Sequence, residues 1–391
     1  MKKTLYIIKN LGIGKSILYL ILTPLRFMRG ALQKLDDIHD EIRWHKNISK
    51  YLKKAGIPNQ KLKNQRVHHE AKEYFNGYGF KINTDWLHFY SSLSGIKSKY
   101  YIPEDLYYRQ IEPHFINDRL LRFYDDKNMY DLLFDGVNQP ETLLRYFDGK
   151  FYSPNYKALS LGEASNTLND VSSSWLIKPS IDSGNGIDIK GGKSQNGMLI
   201  LDGAVTSLAE ITKFFRSGFI IQERITSQNK TLAQFHPASL NTIRIMTLRL
   251  NNVIHVVNTH VKFGTKNRIA DNNDGIWCGV DSTGLIHSAG INNHFQKFEY
   301  HPDTKKKIKG TKIENFNKFL DFTISLHKKV LRTDLISWDI GYSAENEPIL
   351  IECNTRFQGI SYHQALNGPL FGDLTDDVLA EVVRSRNGRL A

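Results

Sequence analysis

Residues 175–353 are cut into short β-runs by clusters of Gly, Asn and Asp, and this pattern constrains the fold more than any other feature. Residues 175–178 predict a strand, 180–186 a polar glycine loop and 187–189 the returning strand. A helix is expected over 207–215, followed by a strand over 219–222. Residues 242–250 and 253–263 predict a hairpin that turns at Asn251-Asn252. Further on, an amphipathic helix is expected over 313–330, strands over 335–342 and 349–353, and a helix after Asp373. Strand pairs mixed with helices, without regular βαβ alternation, predict the α+β class.

Upstream the character differs. Residues 30–75 read as helical, with Leu32, Leu35, Ile38 and Ile42 at three-to-four spacing, and Gly56-Ile57-Pro58 divides two such helices. Residues 85–108 are aromatic-rich and irregular, and 117–147 predict helix ending before Asp148-Gly149. No internal repeat or low-complexity tract interrupts the chain, which argues against solenoids and linkers. At 391 residues, two or three structural units with a sizeable core are expected.

The formal net charge is +12, and residues 1–70 supply most of it with fifteen Lys/Arg against five Asp/Glu. That asymmetry predicts an anionic partner at the amino-terminal end, not a basic body. A nucleic-acid surface would need aromatic interleaving on a basic face, which is absent after residue 70, so no nucleic-acid partner is expected. The apolar run 17–25 is too short to span a bilayer and is interrupted by Pro24. Flanked by Lys15, Arg26 and Arg29, residues 1–30 suit either peripheral contact with an anionic membrane or packing on the protein's own body. Two cysteines, Cys278 and Cys353, exclude a disulfide scaffold and point to a reducing cytoplasm. Gly14-Lys15-Ser16 lacks the earlier glycine of a P-loop, where Lys9 stands.

Two constellations carry chemistry. In Lys178-Pro179-Ser180-Ile181-Asp182-Ser183-Gly184-Asn185-Gly186 a strand delivers a lysine into a flexible loop. The N–H groups around Gly184 and Gly186 suit phosphate oxygens; the plain alternative is a glycine-rich hairpin with an exposed lysine. In the second, a turn over 343–348 places Asp339 opposite Glu352 across an antiparallel ladder. Alternation puts Glu352 and Asn354 on one face, with Ile351 and Cys353 on the other. Opposed carboxylates repel unless a cation lies between them, and Asp, Glu and Asn oxygens suit Mg²⁺ shared with phosphates. A solvated acidic face is the competing reading.

The order of motifs then resembles the ATP-grasp superfamily, most closely its sugar-transfer-associated branch, over roughly residues 80–385. The motifs are Asp126-Lys127-Asn128-Met129-Tyr130-Asp131, residues 175–186, Phe219-Ile220-Ile221-Gln222-Glu223 and Ser239-Leu240-Asn241-Thr242-Ile243-Arg244. Asp271-Asn272 with Gly275 follows, then Trp338-Asp339 and Glu352-Cys353-Asn354-Thr355-Arg356. The resemblance implies an ATP-grasp fold, two α/β subdomains clamping ATP, with a helical amino-terminal extension. It implies that Lys127 and Lys178 grip the nucleotide phosphates, that Ser183, Gly184, Asn185 and Gly186 close over them, and that Gln222 and Glu223 hold adenine and ribose at the hinge. Asp339, Glu352 and Asn354 are similar to residues that hold two Mg²⁺ ions. Arg244 and Arg356 match positions that meet a phosphate or a substrate carboxylate. Asn241 and Asn272 fall in substrate motifs, and His236 and His260 near them are either bases toward an amine or structural histidines. The implied division is a basic extension over 1–80, the start of the catalytic unit over 81–172, a lid with the phosphate loop over 173–225 and a metal and substrate subdomain over 226–391.

The function expected from this resemblance is an ATP-dependent carboxylate–amine ligase working through an acylphosphate, with a small carboxylate and an amine as substrates. An amino acid and a sugar acid or glycan precursor of surface polysaccharide are the expected partners. The rival readings are a kinase of a sugar hydroxyl and a nucleotide-binding scaffold of a polysaccharide synthase complex. The related D-alanine–D-alanine ligases carry an arginine two residues before the metal aspartate, where this chain has Ser337, so the oxyanion role falls to Arg244 or Arg356.

Overall fold

A computed structural model describes residues 46–58, 66–116, 119–181, 188–215, 218–266 and 274–388. Two antiparallel sheets organise it. The first holds β1 (Thr142–Phe147), β2 (Lys150–Tyr152), β3 (Ala158–Leu159), β4 (Trp175–Pro179), β5 (Lys190–Gln195), β6 (Met198–Leu201), β7 (Ala204–Thr206) and β8 (Phe219–Glu223). Its spatial order is β3-β2-β1-β8-β4-β5-β6-β7. The second holds β9 (Thr242–Leu250), β10 (Val253–Phe263), β11 (Ile276–Gly279), β12 (Gly290–Ile291), β13 (Lys297–Phe298), β14 (Leu335–Tyr342) and β15 (Pro348–Asn354), in the order β13-β12-β11-β10-β9-β14-β15.

Several sequence expectations need correction. Residues 117–147 do not form one helix: Leu121–Asp125 and Tyr130–Leu133 are short helices, Lys127–Met129 is a single 3₁₀ turn, and β1 is a strand. Asp148 and Gly149, at φ 49° and 76°, turn β1 into β2 instead of following a helix. The strand returning from the glycine loop begins at Lys190, because Asp188 adopts φ 62° and breaks extended backbone. The aromatic stretch 85–108 is largely helical, with Asp85–Ser94 closed by left-handed Gly95 and a π-helical turn over Tyr107–Ile111.

The second sheet is buried on both faces, so polarity along its strands decides what each face meets. Ile243, Ile245, Ile336, Trp338, Ile340, Val261 and Phe263 pack on the helix Phe316–Lys329. There Trp338 Nε1 donates to Thr247 Oγ1 (2.8 Å), which donates to His327 Nδ1 (2.7 Å). His327 Nε2 in turn donates to the Thr333 carbonyl, so this tryptophan–threonine–histidine relay is saturated. The opposite face starts apolar, with Met246, Leu248, Leu250 and Leu335 against the helices Asp85–Ser94 and Ile360–Asn367. Toward its other end the same face turns polar, at Thr242, Arg244, His260, Lys262 and Asp339.

A column of rings runs out from this face. Lys262 Nζ sits 4.7 Å over Trp277, which stacks on Tyr362 at 4.3 Å, and Tyr362 stacks on Phe295 at 5.5 Å. Phe295 meets Tyr51 of the helix over 46–54, and Tyr51 meets Trp86 edge-on. The amino-terminal helices therefore share one hydrophobic core with the second sheet.

Candidate active site

Between the two sheets lies a cavity of about 470 Å³. The first sheet contributes Leu176, Lys178, Gln222 and Glu223, and the second contributes Thr242, Arg244, His260, Lys262, Asp339 and Glu352. Along the second sheet the ladder pairs Glu352 with Asp339, Asp339 with Arg244, Arg244 with His260, and His260 with Gly279. Directly paired residues share a face, so acid, acid, guanidinium and imidazole stand in one row across four strands.

The predicted pairing of Asp339 with Glu352 is present, and protein cations neutralise both acids. Arg244 grips Asp339 with two parallel bonds, Nε to Oδ1 at 2.6 Å and Nη2 to Oδ2 at 2.5 Å. Burial pushes the Asp339 carboxyl up, but Arg244, with help from Lys262 and Asn354, holds it below the usual range. Lys127 Nζ donates to Glu352 Oε1 at 2.7 Å, and Asn354 Nδ2 donates to Asp339 Oδ2 at 3.3 Å. Among the described residues no three His, Cys, Asp or Glu side chains converge as a closed metal cluster. Two carboxylates and one amide oxygen form the kind of partial donor set that Mg²⁺ completes with phosphate oxygens and water, so the residues present fit that ion.

Local bonds set the two lysines. Asp126 caps the 3₁₀ turn by accepting from Asn128 N, while Lys127 N donates to the Ser180 carbonyl at 2.9 Å. Arg145, fully buried, donates to the Asn128 carbonyl and pairs with Asp131. Tyr130 Oη accepts from Cys353 N at 2.8 Å and fixes this segment beside β15. Lys178 is buried at the end of β4, where desolvation and then the charge of Lys127 push its ammonium down to about 8. Gln222 bonds the Pro140 carbonyl, and the N–H groups of Glu223 and Arg224 go to the carbonyls of Glu141 and Ser174.

One face assignment changes. The ladder shifts between Asp339 and Ile340, so β15 carries one extra residue, Ile351, and this side chain lines the cavity with Glu352 and Asn354 instead of opposing them. Two proposed substrate residues lie elsewhere. Asn241 is fully buried, and its amide is consumed by Gln228, Leu232, His236 and Gly264. His236 donates to the Lys266 carbonyl and accepts from Ser239, which leaves it structural. His260 does line the cavity, with its ring 4.4 Å from that of His363. Burial, His363, Arg244 and Lys262 together hold it neutral, well below the usual histidine range. Ser183, Gly184, Asn185, Gly186 and Asn272 lie outside the described residues, as do residues 1–30.

Sequence reasoning missed Arg224, Lys262, Trp277 and Tyr362 as lining residues. Lys262 was within reach, since it follows His260 by two on one strand and must share its face. Trp277 and Tyr362 carry no such local signal.

Two antiparallel sheets, one bringing Lys178 and the other Asp339 and Glu352 to a common cavity, with Lys127 reaching it from the 3₁₀ turn, define an ATP-grasp fold. A model of the sugar-transfer associated ATP-grasp family matches residues 107–378, and the chain belongs to that family. Among solved structures, the chain is similar to an L-amino acid ligase from Bacillus licheniformis at 13% identity and a TM-score of 0.36, over 66% of this chain and 48% of that one. It is also similar to D-alanine–D-alanine ligase from Bacillus anthracis at 12% identity and a TM-score of 0.35, over 68% and 70%. The VanG D-Ala:D-Ser ligase from Enterococcus faecalis matches at 10% identity and a TM-score of 0.38, over 66% and 61%. The chain thus spans from about half to 70% of the length of these proteins. No curated protein sequence matches it.

Proposed function

We propose that the protein is a Mg²⁺-ATP-dependent ligase that joins an amine, an amino acid by preference, to the carboxylate of a sugar acid or glycan precursor. The observation that carries this reading is the row Glu352–Asp339–Arg244–His260, with Lys127 bonded to Glu352 and Lys178 lining the same cavity from the first sheet. A carboxylate is a poor acyl donor because oxide leaves badly. Its attack on the γ-phosphate of ATP breaks the bond to the β-phosphate, giving an acylphosphate and ADP. The amine then attacks the carbonyl carbon, inorganic phosphate departs with the C–O electron pair, and the amine nitrogen gives up a proton to form the amide. Such a reaction asks the protein to position reactants and neutralise charge.

Lys127 and Lys178 hold phosphates, while Leu176, Ile189, Leu240 and Ile351 offer apolar surface for a base beside Gln222 and Glu223. Asp339, Glu352 and Asn354 would hold Mg²⁺, which when bound neutralises charge on the phosphates. Because Arg244 is committed to Asp339, Arg356 on the cavity rim is the guanidinium assigned to the incoming carboxylate. The protein supplies no thiol nucleophile among the described residues: both cysteines are buried, and burial pushes their thiols far up.

The test is ADP release from full-length protein given Mg²⁺-ATP, a sugar acid and an amino acid, with the product weighed by mass spectrometry. Amide formation, and hydroxamate when hydroxylamine replaces the amine, support the reading. A phosphorylated sugar with no amide rules it out in favour of a kinase.

The charge of the first 70 residues also supports peripheral contact with an anionic membrane from the cytoplasmic side. The helix over 46–54 bears Lys46, Lys50, Lys53 and Lys54 with no acid. Among the described residues no helix is long and apolar enough to cross a membrane. Co-sedimentation with anionic vesicles should vanish when residues 1–30 are removed, and an intact chain that stays in the supernatant would refute contact.

A further inference from the structure

We infer that Phe357 and Arg356 form a stacking platform at the cavity lip for a pyranose ring that carries a carboxylate, which lies on the outer side of the acceptor. This rests on the reading of the acceptor as a sugar acid and adds where its ring is held.

Phe357 is 75% exposed and adopts φ 52°, a left-handed conformation that a bulky side chain rarely takes. Strain of this kind persists only where the surroundings impose it. Here they do. Thr355 and Gln358, the residues flanking the pair, are both fully buried. Thr355 Oγ1 donates to Asp125 Oδ1 at 2.6 Å, and Gln358 Nε2 donates to the Leu335 carbonyl at 2.9 Å while Tyr107 donates to its Oε1. The N–H of Phe357 itself donates to the buried carboxyl of Glu112 at 2.9 Å. Four tertiary hydrogen bonds therefore hold two exposed side chains out at the rim.

The occupant follows from what the two side chains present. The Phe357 ring lies 5.8 Å from the Arg356 guanidinium and 6.2 Å from the Tyr108 ring, and it borders the same cavity as Lys262 and Arg244. One aromatic face beside a guanidinium matches the C–H face and carboxylate of a uronic-acid ring. A lipid chain would need a contiguous apolar surface, and here Arg356 interrupts it. His260, deep in the same cavity, stays neutral beside Arg244 and Lys262 and adds no charge there.

Titrate the full-length protein, without nucleotide, with a uronic-acid trisaccharide and with its carboxyl-reduced neutral counterpart. The acidic trisaccharide should bind, the neutral one more weakly. Phe357→Ala should weaken binding by about tenfold, Phe357→Tyr should restore it, and Arg356→Gln should erase the preference for acid. Phe357→Gly should keep or raise the melting temperature, since glycine relieves the left-handed strain, and still lose binding. No binding to wild type, or equal binding by wild type and Phe357→Ala, overturns the platform. Mg²⁺-ATP thermal shifts, read in parallel, report on the ligase site separately: loss of both saccharide binding and the nucleotide shift in wild type would remove both readings, whereas an intact shift without saccharide binding removes only this one.

Discussion

Arg244 holds Asp339 through two bonds at 2.6 and 2.5 Å, so the guanidinium expected to meet substrate is committed to the acid expected to meet metal. A buried charge stripped of its partner is costly, and Asp339→Ala should destabilise the protein by about 3 kcal/mol in urea unfolding. Adding Arg244→Met should recover part of that loss, because the pair couples. Strictly additive effects would show that the two charges are independently solvated.

Lys178 and Glu352 offer a test of the clamp itself. Mg²⁺-ATP binding at a hundredfold excess over its dissociation constant should add about 2.7 kcal/mol of stability, seen as a rise in melting temperature. Lys178→Ala and Glu352→Ala should each abolish most of that rise while remaining folded. Undiminished shifts in both variants would place nucleotide elsewhere.

Glu112 should make stability depend on pH. Burial pushes its carboxyl from 4.5 up to about 8, outweighing its bonds to Phe357 and Gln358 and the Arg356 charge. The folded state therefore binds more protons than the unfolded one between those values. This group's contribution is greatest at low pH and declines as pH rises through the window, by at most about 1.4 kcal/mol per unit. Glu112→Gln, which keeps an acceptor for the Phe357 N–H, should gain on wild type as pH rises from 5 to 8. An advantage that does not change with pH would contradict the assignment.

Gly192 faces the ring of Trp175 so closely that an added Cβ would lie 2.1 Å from it. Trp175 is fully buried and has no room to yield. Gly192→Ala should cost about 3 kcal/mol by overpacking, measured as a lower melting temperature. Replacing Trp175 by Leu in the same chain should relieve part of the loss.

The Thr247 hydroxyl links Trp338 to His327, and Thr247→Val should leave two buried groups unpaired. A loss of about 2 kcal/mol is expected in chemical denaturation. A neutral substitution would show that water replaces the hydroxyl.

The pairing of Asp339 with Glu352 was legible because a short turn and strand alternation suffice to foresee it. Yet it arises differently. Near the turn the ladder pairs Tyr342 with Pro348 and Ile340 with Leu350, a register that would set Asp339 against Ile351. The extra residue at Ile351 restores the acid pair, and no pattern in the sequence announces such a bulge. The hairpin at Asn251-Asn252 was readable because both residues accept positive φ, here 50° and 62°. β1 was misread as helix because Leu143, Leu144, Tyr146 and Phe147 form a short apolar run that periodicity alone does not classify. The fates of Asn241 and His236 depended on long-range packing: one is fastened to Gly264 and the other to Lys266.

The column of rings from Trp277 through Tyr362 and Phe295 to Tyr51 has a mechanical meaning. The helix over 46–54 is in series with the wall of the cavity, like the far end of a strut. Cutting the chain near residue 80 would therefore not trim an accessory; it would take away the buttress against which Trp277 and Lys262 stand. Any pull on the amino-terminal helices would be transmitted as a load on the floor of that cavity.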